Sequence, residues 1–141
     1  MRKLLYLLII FSVFSACAQK NDSKKITQSQ EKTKNIMDIS KLNETVKNAF
    51  EAWQNGNAEV FTSYFTSDVK LYDDGSPRDF KKFVKEACGH EKFMSIEKIE
   101  NEGKDIYGEF HTESWGDFKT YFKFSLNKEG KFDKLEIGQA N

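Results

Sequence analysis

The tightest constraint on the fold is a two-residue alternation that recurs three times in the second half of the chain. In Asp105 to Glu113, Ile106, Gly108, Phe110 and Thr112 fall on one side of an extended chain, with Tyr107, Glu109, His111 and Glu113 on the other. Phe118 to Leu126 repeats this, setting Phe118, Thr120, Phe122, Phe124 and Leu126 against Lys119, Tyr121 and Lys123. Phe132 to Gln139 continues it through Leu135 and Ile137. Only a strand with one buried face reads this way. The linking segments, Ser114-Trp115-Gly116-Asp117 and Asn127-Lys128-Glu129-Gly130, are too short for a crossover, so these strands are antiparallel neighbours. A further strand, Phe93 to Ile99, precedes them across the turn Asn101-Glu102-Gly103-Lys104. Its imperfect alternation predicts a bulge.

A meander with one apolar face needs a cover, and the first half supplies helices. Ile39, Leu42, Val46, Ala49, Phe50 and Trp53 share one helical face, which predicts a helix over Ile39 to Gln54 with Asp38 or Ser40 as its cap. Asn55-Gly56-Asn57 stops it, and Asn57 caps a short second helix carrying Val60, Phe61, Tyr64 and Phe65. A strand follows at Val69 to Tyr72. Ser76-Pro77-Arg78-Asp79 predicts the start of a third helix, with Ser76 as cap, Pro77 at the first helical position and Asp79 on the positive dipole end. Phe80, Phe83, Val84 and Ala87 form its buried stripe, and Gly89 ends it. The expected architecture is α+β, with three helices on the concave side of a curved antiparallel sheet.

Before this domain the chain changes character twice. Arg2 and Lys3 precede an 11-residue apolar run, Leu4 to Phe14. That is too short to span a bilayer, which takes about 20 residues, and suits the apolar segment of an export signal. Phe14-Ser15-Ala16-Cys17 resembles the lipobox of bacterial lipoproteins. The resemblance implies cleavage after a signal peptide of residues 1–16, acylation of Cys17 and anchoring to a lipid bilayer in the cell envelope. Ala18, where inner-membrane lipoproteins carry aspartate, favours the outer membrane, facing the periplasm. Residues 17–36 hold Lys20, Lys24, Lys25, Lys32 and Lys34 against Asp22 and Glu31, with only Ile26 and Ile36 as bulky apolar residues. This composition buries nothing and reads as a flexible tether. The domain proper is 37–141, with 15 basic and 20 acidic residues. That balance gives no footing for nucleic acid.

The element order resembles the nuclear transport factor 2-like superfamily, in particular its SnoaL-like and ketosteroid-isomerase-like branches. The segments that carry the likeness are Val46 to Asn57, Phe65 to Asp73 and Lys134 to Ala140. The resemblance implies a cone-shaped sheet enclosing a pocket for a small apolar ligand. Trp53, Tyr64, Tyr72, Phe110, Phe122 and Phe124 are its expected lining, unless the large aromatics, Phe83 among them, simply fill it. In the isomerase-like branch an aspartate near the end of the first strand is the general base, and Asp73 is the matching residue. The small hairpin usual after that strand is expected to be missing, because the link to the third helix is short.

The residues themselves leave alternatives open. Asp73-Asp74-Gly75-Ser76-Pro77 is rich in turn formers, so the residues themselves read Asp73 first as part of a turn. His90 and His111 are too few and too isolated for a metal site, and no cofactor motif is present. Cys88, at a helix C-terminus, is a poor nucleophile. The tyrosines and lysines of the outer sheet face suit either a homodimer or cross-strand pairing within one copy. The function expected is a membrane-anchored module that binds a small ligand or a protein without catalysis. The alternative is a small pocket enzyme, isomerase- or cyclase-like, with Asp73 as general base.

Overall fold

The apolar face of the meander is covered by helices, as its alternation requires. The computed structural model describes residues 37–141. The signal segment, Cys17 and the tether lie outside the described residues. In chain order the elements are a 3-10 turn at Ile39–Lys41, α1 (Glu44–Gln54), α2 (Ala58–Ser63), β1 (Phe65–Asp73), β2 (Ser76–Arg78), α3 (Phe80–Ala87), β3 (Glu91–Phe93), β4 (Lys98–Glu100), β5 (Asp105–Thr112), β6 (Gly116–Leu126) and β7 (Phe132–Gln139). The strands form one curved sheet in the order β2-β1-β7-β6-β5-β3, with β4 beside β3 on the edge of β5. No helix of the described residues is long and apolar enough to cross a membrane.

The expected α+β architecture is present, with one difference in the sheet. β1 and β7 are parallel, placing Leu71 opposite Leu135 and Asp73 opposite Ile137. The direction of β7 is set by its antiparallel hairpin with β6. One edge of β1 is occupied by β2, so the other is where β7 can join. The sheet is therefore mixed.

The first helix is split. Asp38 caps only the 3-10 turn. Leu42 is extended, and the α-helix starts at Glu44 with Asn43 as its cap, the Asn43 side chain accepting from the Thr45 N–H at 3.0 Å. The break is a docking point: the Asn43 N–H donates to the Gly103 carbonyl at 3.0 Å. Gly103 has φ +83°, and a Cβ there would stand 2.3 Å from the Asn43 nitrogen. The turn before β5 thus needs glycine both for its conformation and for close approach.

The third helix starts later than its sequence suggests. Ser76 and Pro77 are not its cap and first residue. They form β2, a hairpin with β1, and Asp79 caps α3 by accepting from the Lys82 N–H at 2.6 Å. The hairpin expected to be missing is present in its tightest form. Asp74 and Gly75 alone make the turn, with φ +46° and +80°, the pattern of a two-residue type I′ connection. Pro77 is tolerated because β2 is an edge strand. The strand expected at Phe93 to Ile99 is two short pieces, β3 and β4, both on β5. The predicted bulge, Met94 to Glu97, lies between them. It folds over Gly108, where a Cβ would come within 1.9 Å of the Ser95 carbonyl oxygen.

The core centres on Trp53, 1% exposed. Its ring stacks on Phe83 at 5.4 Å and meets Phe61 and Phe122 edge-on at 5.0 and 5.4 Å. Phe124 packs against Phe65 and Phe132. Each fully buried ring of this kind contributes on the order of 2–3 kcal/mol.

Candidate functional site

Although aromatics fill the interior, they leave a cleft of about 510 Å³ at one end of the sheet. It lies where β1, β5 and β7 end and β6 begins, beside α3. Its floor is Phe83, Phe110, Phe118, Phe122 and Ile137, and its polar lining includes Asp73, Arg78, Glu91, Thr112 and Thr120. Trp115 stands at the lip with 83% of its surface exposed. The Trp115 N–H donates to the Thr112 hydroxyl at 2.9 Å, which pins the backbone of the hairpin tip while the indole stays free.

Strand register explains who is inside. Along β1, Leu71 is buried, so Asp73, two residues on, faces the same way and Tyr72 faces outward. Glu91 pairs with Thr112, and Phe93 with Phe110, so Glu91 shares the inner face with three buried residues, Phe93, Phe110 and Thr112. The Thr120 hydroxyl donates to the Gly138 carbonyl at 2.7 Å, leaving its methyl and an oxygen lone pair for the cleft.

The four charged groups of the lining are not equivalent. Asp73 is bound to Arg78 at 2.6 Å, with about a third of its side chain exposed. The Arg78 guanidinium also lies over the Phe83 ring, 4.9 Å from its centre. The Asp74 carboxylate accepts from the Gln139 N–H at 2.9 Å, which fastens the β1–β2 turn to β7. Glu91 is different. Among the described residues no ion pair or hydrogen bond takes up its carboxylate. Partial burial pushes its carboxyl above the ordinary range, Arg78 and His90 pull it back, and Asp73 adds to the rise.

Of the expected site residues, Asp73, Phe110 and Phe122 line the cleft. Trp53 and Phe124 are buried core instead, because the helices press directly onto the middle of the sheet. Tyr64 is the C-terminal cap of α2 and packs on the core, and Tyr72 is on the outer side. Neither tyrosine lines the cleft with Asp73, whose carboxylate is met by Arg78 instead. His90 and His111 are exposed and meet Glu113 and Asp117 at 3.3 and 2.5 Å. Burial pushes the Cys88 thiol up, in keeping with an inert residue. Among the described residues no cluster suits a metal ion.

Sequence reasoning missed Arg78, Glu91, Thr112, Thr120 and Trp115. Thr112 and Thr120 were legible in principle, as polar positions on an otherwise apolar strand face. Arg78 and Glu91 are not, since one follows a proline that suits a helix start and the other lies in a short segment between Gly89 and Phe93 with no periodic pattern.

The chain resembles solved structures that share little sequence with it. One is a nuclear transport factor 2-like protein of unknown function from Cytophaga hutchinsonii, with 13% identity and a TM-score of 0.56 over 69% of this chain and 88% of that one. Another is a candidate polyketide cyclase from Sinorhizobium meliloti, with 13% identity and a TM-score of 0.57 over 71% and 98%. A third is the Orange Carotenoid Protein of Anabaena, solved with canthaxanthin, with 17% identity and a TM-score of 0.56 over 92% of this chain and 43% of that one. No family model matches the sequence, and no curated protein matches it. The fold is nuclear transport factor 2-like.

Proposed function

We propose that the chain is a bacterial envelope lipoprotein, anchored through acylated Cys17 to the outer membrane and facing the periplasm, whose domain binds a small, largely apolar ligand without transforming it. The observation that carries the binding reading is the cleft: an aromatic floor under a polar rim, with a volume of about 510 Å³. Small-molecule sites typically have about 300–1,000 Å³ and this division of labour. Support comes from the likeness to a carotenoid-binding protein and a candidate polyketide cyclase. The absence of catalysis is favoured because Asp73 is tied to Arg78 on the solvent side rather than held alone in an apolar enclosure.

The neutral dye Nile red tests the cleft. It should bind the full chain with single-site stoichiometry, and Gln139→Trp, which adds bulk at an exposed lining position, should weaken it at least about tenfold. No binding, or binding indifferent to that substitution, overturns the reading. The anchor is tested separately: Cys17→Ser should abolish incorporation of a labelled fatty acid and release the protein from the membrane fraction. Retention of both overturns the lipoprotein assignment.

The outer sheet face, with Tyr107 and Tyr121 paired at 6.2 Å, is proposed as the contact for a homodimer. Against it stands the coverage already present within one copy, with Lys98 over Tyr107 at 4.3 Å and Lys119 bound to Glu97 at 2.9 Å. Sedimentation over a wide concentration range should show a dimer that Tyr121→Glu breaks, and a monomer throughout discards it.

A further inference from the structure

We propose that the cleft selects ligands bearing an ammonium group on an apolar body, with Glu91 as the counter-ion. This rests on the binding reading above and narrows it to a chemical class.

The argument is one of elimination. The lining carries Asp73, Asp74 and Glu91 against a single cation, Arg78. Arg78 is engaged by Asp73 at 2.6 Å and by the Phe83 ring. Asp74 is occupied by the Gln139 N–H. Once these pairs are set aside, Glu91 is left as the one charged group of the lining with no partner among the described residues. It sits half-buried on the inner face next to buried Thr112 and one pair away from Phe93 and Phe110. A half-buried carboxylate without a partner works against folding, and its burial already holds its proton more tightly than usual.

The remaining lining matches the same chemistry. Phe83, Phe110, Phe118 and Phe122 form the floor, and Trp115 waits at the lip. Aromatic rings attract cations through the negative potential over their faces, Trp most strongly, and desolvation strengthens that attraction. A carboxylate among aromatic rings repels an anionic ligand and offers a neutral one at most a hydrogen bond, whereas an ammonium group gains both the ion pair and the ring faces. The apolar body of such a ligand would cover the ring floor, and its cation would meet Glu91.

Three ligands with one phenylpropyl body test this: 3-phenyl-1-propylamine, 3-phenyl-1-propanol and 3-phenylpropionate, each titrated into the full chain by calorimetry at pH 7. The amine should bind at least about tenfold tighter than the alcohol, and the carboxylate should bind weakest. Glu91→Gln should erase the advantage of the amine and leave the alcohol unchanged. Glu91→Asp, which keeps the charge, should retain part of it and guards against a folding defect in the first variant. Equal binding of amine and alcohol, or an amine preference that survives Glu91→Gln, overturns the inference while leaving the apolar cleft as a binding site. If none of the three binds but Nile red does, the ammonium inference alone fails. If Nile red fails as well, both readings fall.

Discussion

A half-buried carboxylate that lines an aromatic cleft without a direct ion pair or hydrogen bond weakens the fold that holds it. Glu91 makes this measurable. Its carboxyl titrates above the ordinary range because of burial, with Asp73 reinforcing the rise and Arg78 and His90 opposing it. The folded protein therefore keeps the Glu91 proton to higher pH than the unfolded chain does. The penalty is present in full above the folded value and disappears as pH falls below the unfolded one. Glu91→Gln should thus be no less stable than the natural chain near neutral pH, and its advantage should shrink on acidification through the carboxylate range. Urea midpoints at several pH values will show this. A variant that is less stable at pH 7, with a deficit that closes on acidification, would mean that the carboxylate has a stabilising partner.

At the level of elements, what was legible depended on how local the signal was. The faces of β5, β6 and β7 follow directly from alternation, and the turn lengths set their pairing. The start of α3 did not follow, because two local signals competed. Ser76-Pro77 looks like a cap and first turn, while Asp74-Gly75 looks like a hairpin. The hairpin prevails because Ser76–Arg78 directly follows the turn and can pair with the edge of β1 that β7 does not use. Helix α1 departs from its sequence pattern for a related reason. Its apolar spacing runs unbroken from Ile39, yet Leu42 is extended so that Asn43 can bond Gly103, a partner sixty residues away by subtraction of their numbers. Caps give the corresponding prediction. Asn43→Ala should cost about 1 kcal/mol. Asp38→Ala, which removes only the cap of an exposed 3-10 turn, should stay within about 0.5 kcal/mol. Denaturation midpoints of the two variants decide it, and equal losses would show that the helix starts at Ile39 in solution.

Over the whole molecule, the mixed sheet was the part that sequence could not supply. The parallel contact of β1 with β7 joins Leu71 to Leu135 and leaves no mark in either segment's alternation. The cleft is hidden with it, since Asp73 and Arg78 on the β1–β2 hairpin and Glu91 on β3 are brought to one end of the sheet by strand order rather than by any local pattern. What alternation did give was the floor: Phe110 and Phe122 sit on the face it assigned. Position in the sheet also grades the effect of substitutions. Leu135→Ala, at a fully buried position of the central strand β7, should cost about 2–5 kcal/mol. Ser76→Ala, on the exposed edge strand β2, should stay within about 0.5 kcal/mol. Comparable losses at the two sites would mean that β2 is structurally more important than its exposure suggests.

The place of β7 also bears on when the domain becomes competent. It is the seventh strand to emerge, yet it stands between β1 and β6. Before it arrives, a nascent chain holds β1 with its hairpin on one side and the β5–β6 ribbon on the other, with no backbone bonds between them. Pairing across such sequence distance is slow. Ile137, Gly138 and Gln139 form one wall of the cleft, so the ligand site is incomplete until β7 is in place. A chain in which β7 has not yet paired would lack that wall, and would complete its cleft in the same step that joins the two halves of the sheet.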